Sequence, residues 1–192
     1  MTAVTGPDGL LRCSWATSAP EYIAYHDDEW GKEIRDDHGL YERMTLEGFQ
    51  SGLSWITILR KRENFRAAFA GFEIERVAAF GEQDVARLMA DAGIVRNRAK
   101  IDATIANARA AVDLDLAELL WSFAPEPRPR PRTPEDIPAS TPESTAMAKE
   151  LKKRGFRFVG PTTAYAMMQA CGLVDDHLDG CLVMASRGSA SS

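Results

Sequence analysis

The apolar positions along this chain repeat at helical spacing almost from end to end. Residues 36–51 place Leu40, Met44 and Glu47 on one side of a helix, and Leu46, Phe49 and Leu53 on another. Gly52 interrupts, and Ser54 is a natural cap for a helix through Trp55, Ile58, Leu59, Phe65 and Phe69 to a stop at Gly71. A short turn over 77–80 and a helix over 82–92, ended by Gly93, follow. An alanine-rich helix spans 98–112, with Ile101, Ile105 and Ala108 in register, and another spans 114–123. Residues 124–140 hold six prolines, which excludes a helix and predicts an extended surface loop, an ordinary connector rather than an SH3-type ligand. Helix resumes over 142–154, started by Thr141 and Pro142 and ended by Gly155, and again over 161–171, ended by Gly172. No set of strands and no internal repeat stands out, so the fold class is all-α.

The length suits one domain or two tightly fused lobes, and a single helical domain over residues 12–182 with loose ends at 1–11 and 183–192 is expected. Apolar residues make up 45% of the chain, enough for a core, yet no run approaches the ~18–20 needed to span a membrane. The first eleven residues lack the pattern of a signal peptide, and three well-separated cysteines do not make a disulfide framework, so a cytoplasmic location is expected. The net charge of −5 disfavours nucleic acid, but the charge is uneven. Residues 1–50 carry ten acids and four bases, whereas 51–110 carry ten bases and seven acids. Basic clusters at Arg60-Lys61-Arg62, at Arg96/Arg98/Lys100 and at Lys152-Lys153-Arg154 with Arg157 could form a phosphate-binding face, or simply be solvated helix surface.

Two cysteines and two histidines form two pairs: Cys13 with His26 near the start, His177 with Cys181 near the end. The second pair has the spacing of one helical turn and can grip one ion. Together the four would close a tetrahedral zinc site with no open position, which fastens rather than catalyses. The alternative is unrelated core cysteines and surface histidines. Cys171 and His38 belong to no pair: a buried thiol and a surface imidazole.

The blocks Tyr25-His26-Asp27-Asp28-Glu29-Trp30-Gly31, Leu46-Glu47-Gly48, Gln50-Ser51-Gly52-Leu53-Ser54-Trp55-Ile56, Lys61-Arg62-Glu63-Asn64-Phe65 and Asp91-Ala92-Gly93-Ile94 resemble those of the bacterial DNA-3-methyladenine glycosylase I family. So do Leu151-Lys152-Lys153-Arg154-Gly155-Phe156, Phe158-Val159-Gly160 and Gln169-Ala170-Cys171-Gly172-Leu173, and the likeness runs from about Cys13 to Cys181. It implies a helix-hairpin-helix glycosylase with one structural zinc on Cys13, His26, His177 and Cys181. The hairpin would fall at about 151–171, with Gly160, Lys152 and Lys153 as DNA contacts. Amides at the start of the last helix would meet a phosphate, although Pro161 removes one donor.

The implied substrate is duplex DNA containing 3-methyladenine, with no membrane, no obligate protein partner and a monomeric state expected. The alkylated purine is cationic and leaves as a neutral base, so the tasks are to flip it, hold it between aromatic faces and reject adenine. From periodicity alone Glu47 is either buried or in water; the resemblance makes it the catalytic, base-reading carboxylate, with Tyr25 and Trp55 as stacking residues. Trp15 and Trp30 either complete the pocket or pack near the zinc. Leu53 is either a wedge filling the gap left in the duplex or a buried connector. Asp175 or Asp176 is expected to orient a zinc-bound histidine, with assistance to a sugar cation as the alternative for Asp175. Rival readings are a DNA-binding module without activity, a zinc hydrolase, and a glycosylase for 7-methylguanine; the carboxylate suits an adenine amine better than a guanine O6.

Overall fold

The structure is a computed structural model that describes residues 3–183. It opens with a small antiparallel ribbon, β1 (Val4–Thr5) and β2 (Leu11–Arg12), in which Val4 pairs with Arg12. Nine α-helices follow among the described residues: α1 (Pro20–Asp28), α2 (Asp37–Gln50), α3 (Trp55–Ala68), α4 (Ile74–Ala78), α5 (Glu82–Ala90), α6 (Arg98–Ala111), α7 (Leu116–Trp121), α8 (Pro142–Lys153) and α9 (Pro161–Ala170). The fold is all-α apart from the ribbon.

Side-chain caps explain most boundaries. Asp36, Asn97 and Asp115 each accept from the backbone N–H three residues on, at 2.7, 3.1 and 2.7 Å. Asp115 therefore starts α7 two residues later than the apolar pattern does. Thr141 and Ser144 cap α8 reciprocally. Ser54 does not cap α3; its hydroxyl pairs with the Thr57 hydroxyl at 2.9 Å. Helix α3 stops at Ala68, because burying Phe72 pulls residues 70–72 into a left-handed turn and lets α4 start early at Ile74.

Helix α2 is the axis of the molecule, packed by α3, α6, α7 and α9. Both of its apolar stripes are therefore inside: Leu40, Met44 and Glu47 on one, Leu46 and Phe49 on the other. Phe49, Phe65, Phe69 and Phe72 stack in a continuous aromatic core against α3. Helices α8 and α9 form the hairpin, joined by a turn in which Gly155 (φ 94°) and Phe158 (φ 55°) are left-handed.

The described part of the N-terminal segment, residues 3–11, carries the ribbon and meets the fold at Arg12. Arg12 is buried and holds Asp8 and Asp27 in charge-assisted hydrogen bonds of 2.6–3.0 Å. Leu182 N–H also donates to the Leu11 carbonyl at 2.8 Å, so the two ends of the fold share one seam. The tail expected over 183–192 lies, beyond Val183, outside the described residues.

Candidate active site and metal clip

A cleft of about 430 Å³ opens where α1, α2, α3 and α9 meet. Trp15, Tyr22, Tyr25, Trp30 and Trp55 line it, together with Glu47, Gln50 and Gln169. Glu47 is 7% exposed and has no hydrogen-bond partner among the described residues, so its free oxygens face the cleft. Burial pushes its carboxyl up to about 7, with the Arg43 charge opposing. A carboxylate held in this way lacks a counter-charge in contact, which prepares it for a cationic or donor-bearing guest.

Arg43, one turn earlier on α2, is buried beneath the site and was not anticipated from the sequence. It donates to the Tyr25 hydroxyl at 2.8 Å and lies 3.5 Å from Glu29, whose carboxylate also accepts two bonds from Arg62. Tyr25 is thereby locked as the inner wall of the cleft. Trp55, in the first turn of α3, leans on it with ring centroids 5.4 Å apart and planes at 45°. The indole N–H of Trp55 is buried without a partner among the described residues. Tyr22, also unforeseen, fixes the start of α3 by accepting from Ile56 N–H at 2.8 Å. A simple alternation of apolar positions carries no signal for either residue.

The two rings leave no open slot between them. Two rings enclosing a flat base must stand about 7 Å apart, twice the ~3.5 Å contact distance between carbon atoms. Tyr25 and Trp55 touch each other instead and form one continuous aromatic wall.

Cys13, His26 and Cys181 meet beside this wall, with their ligand atoms all within 4.8 Å of one another and all three residues buried. This cluster joins the start and end of the described fold and is positioned to chelate a metal ion such as zinc. His26 Nε2 lies 3.4 Å from Cys181 Sγ, while its Nδ1 is anchored on Asp27 at 2.7 Å. The Cys13 thiol and the His26 ring lower the pKa of Cys181 and favour the thiolate that binds metal. The His177 ring stands 5.1 Å from that of His26, with Nδ1 on Asp175 at 2.8 Å. Its Nε2 is buried and has no partner among the described residues, the mark of a group built to meet something else. Gly31 packs directly on this imidazole: at φ 81°, a Cβ there would lie 2.5 Å from His177 Cε1.

Trp15 and Trp30 line the cleft and pack edge-on or stacked against the rings of His26 and His177. Aromatic wall and metal clip are thus one continuous construction. The proline-rich segment is more than a connector. Arg128 donates to Asp176 and Tyr165, Arg130 to Asp175, and the Pro131 carbonyl accepts from Asp179 N–H. The segment straps residues 175–179, and with them His177, in place.

The DNA-contact candidates lie elsewhere. Leu53 is 39% exposed in the loop between α2 and α3. Gly160 is the exposed N-cap of α9, and Lys152 and Lys153 are exposed in the last turn of α8. Lys152 and Gly160 border a separate groove along the hairpin.

The family model described as methyladenine glycosylase matches residues 15–185. The chain belongs to this family. It is 51% identical to DNA-3-methyladenine glycosylase 1 of Escherichia coli (strain K12) over 179 residues, covering 90% of this chain and 96% of the relative. It is 43% identical to the DNA-3-methyladenine glycosylase of Haemophilus influenzae over 177 residues, covering 88% and 96%. Among solved structures, 3-methyladenine DNA glycosylase I from Staphylococcus aureus superimposes with a TM-score of 0.86 at 34% identity, covering 94% of this chain and 98% of that one. The fold has the helix-hairpin-helix architecture of this family, and the aromatic cleft lies over α9.

Proposed function

We propose that this cleft receives 3-methyladenine swung out of duplex DNA and that the enzyme hydrolyses its N-glycosidic bond, releasing the free base and leaving an abasic site for base excision repair. As a member of its family the chain is a monofunctional DNA-3-methyladenine glycosylase acting on alkylated double-stranded DNA. The observation that carries the reading is Glu47: a buried carboxylate without a hydrogen-bond partner among the described residues, at the edge of an aromatic wall.

The methylated base arrives as a cation. The faces of Tyr25 and Trp55 attract it by about 0.5–2 kcal/mol more than a neutral purine. Glu47 accepts from the exocyclic amine and balances the ring charge, a gain that adenine, being neutral, cannot draw on in full. The base lies against the wall rather than within a preformed slot, and lodging between the two rings requires Trp55 to swing from Tyr25. Leu53 enters the duplex where the nucleotide has left, and Lys152, Lys153 and the amides after Gly160 hold the phosphates. His177 supplies the fourth metal ligand through its unpartnered Nε2, completing with Cys13, His26 and Cys181 a closed zinc site that cross-links the ends of the fold. Among the described residues no helix is long and apolar enough to cross a membrane. A cytoplasmic location agrees with a cluster that needs reduced cysteines.

Chromatography of bases released from methylated duplex DNA tests the function. Free 3-methyladenine with little 7-methylguanine is expected; binding without release, or predominant 7-methylguanine, would refute it.

The elevated pKa of Glu47 gives a signed pH dependence. The reading requires the ionised carboxylate, so kcat/KM should rise as pH increases through about 7 and then level off. Stability runs the other way: the buried carboxyl keeps its proton longer when folded, so its contribution falls from pH 4.5 to about 7. In Glu47→Gln the rising limb of the rate profile should disappear.

Asp175 touches His177 Nδ1 and Arg130 and does not line the cleft. Asp175→Asn should keep most of kcat while weakening zinc retention by about 10–100-fold, read by competition with a chromophoric chelator. A loss of excision comparable with that of Glu47→Gln would contradict this assignment.

A further inference from the structure

We infer that α6 is a rigid spacer that fixes the wedge loop relative to the hairpin, acting through two buried side chains, Lys100 and Asn107. The inference rests on the reading of Leu53 and of the hairpin as the DNA-contacting elements.

Lys100 lies in the first turn of α6 and is 8% exposed. Its ammonium donates to the carbonyls of Phe49 (2.8 Å) and Ser51 (2.5 Å), which end α2 and begin the loop that carries Leu53. A buried cation at a helix C-terminus meets the negative end of the helix dipole, and here it also fixes where the loop departs. Asn107 lies two turns later on the same face, about 10 Å along the axis. It clamps one residue of the hairpin turn from both sides: Nδ2 donates to the Arg157 carbonyl at 3.0 Å, and Oδ1 accepts from Arg157 N–H at 2.7 Å. That turn contains Phe158, left-handed and 44% exposed, just ahead of Gly160.

The spacer is itself pinned. Between the two contacts, Thr104 bonds back to the Lys100 carbonyl, and its own carbonyl accepts from the buried Tyr41 hydroxyl of α2 at 2.9 Å. Lys100, Thr104 and Asn107 share a narrow crevice with Gly48 of α2 and with Arg157 and Phe158 of the turn. Neither Lys100 nor Asn107 lines the base cleft. Their side chains are spent on backbone groups of two loops about 105 residues apart in sequence, an arrangement that sets distance rather than chemistry. A wedge can enter a duplex only if the phosphate grip holds the strand at the matching offset, so both residues are positioning residues for base extrusion.

The test compares two ligands on Lys100→Met, Asn107→Asp and the double variant. The first is free 3-methyladenine, followed by tryptophan fluorescence; the second is a duplex carrying a tetrahydrofuran abasic-site analogue. Each single variant is expected to bind the duplex about tenfold or more weakly, the scale of a lost charge-assisted or clamping bond, with free-base affinity within about twofold of wild type. The double variant should lose less than the product of the singles, because a spacer detached at one end no longer sets the distance. Unchanged duplex binding, or a parallel fall for both ligands, would overturn the inference. If a variant does not fold, Lys100→Gln and Asn107→Ser are read by the same criteria. A Leu53→Ala, Lys152→Ala, Lys153→Ala variant serves as reference. If its duplex affinity also stays at the wild-type level, the DNA-contact reading fails and the spacer with it; if it falls while the α6 variants do not, only the spacer fails.

Discussion

Glu47→Gln is expected to reduce excision of 3-methyladenine by roughly 10²–10³-fold, the scale on which an enzyme loses one preorganised electrostatic partner. Glutamine keeps the size of the side chain and one acceptor, so packing under the cleft should hold. What disappears is the negative charge, and its setting makes that charge count. Arg43 is committed to Tyr25 and Glu29, so no cation touches Glu47 directly. Because the neutral side chain removes the cost of burying a carboxylate, the variant should be at least as stable as wild type at neutral pH. Loss of activity with retained melting temperature is therefore the signature, measured by single-turnover base release and thermal unfolding. Equal activity would remove Glu47 from the mechanism.

The second large effect belongs to the metal clip. Cys181→Ala, or prolonged chelation of the wild type, should lower the melting temperature by roughly 8–16 °C. This corresponds to losing about 4 kcal/mol at about 2–4 °C per kcal/mol in a domain of this size. The magnitude follows from what the cluster joins: residue 13 to residue 181, closing nearly the whole described chain into a loop. Activity at 20 °C should survive in the folded fraction, because the cluster fastens the fold and presents no reacting atom to the cleft. A fully folded but inactive metal-free protein would instead support the zinc-hydrolase reading. Since Trp15 and Trp30 pack on His26 and His177, some widening of the cleft should accompany metal loss, visible as a change in tryptophan fluorescence.

Much of this architecture is legible in the sequence where signals are local. Helices α2, α6 and α8 carry both periodicity and a capping side chain, and the pattern finds them within a residue or two. Helix α1 has no side-chain cap and only Pro20 at its first position to mark it, although it supplies Tyr22, Tyr25 and His26. Glu47 shows why periodicity alone left its burial open. An amphipathic helix hides one stripe, but α2 is enclosed on several sides and hides both. The pairing of Cys13 and His26 with Cys181 is a long-range fact that spacing suggests for each half and cannot join. Least visible were the supporting arginines. Arg43 reads as a helix-surface charge and Arg128 and Arg130 as loop decoration, yet all three bond groups behind the cleft or the clip. Their partners are distant in sequence, and only the folded chain brings them within reach.

The central claim concerns where the damaged base lies, and the structure of the protein with free 3-methyladenine tests it most directly. The account predicts the purine against the faces of Tyr25 and Trp55, its exocyclic amine within hydrogen-bond reach of a Glu47 oxygen. A base lodged along the α8–α9 groove, or in the cleft with its amine turned from Glu47, would contradict it.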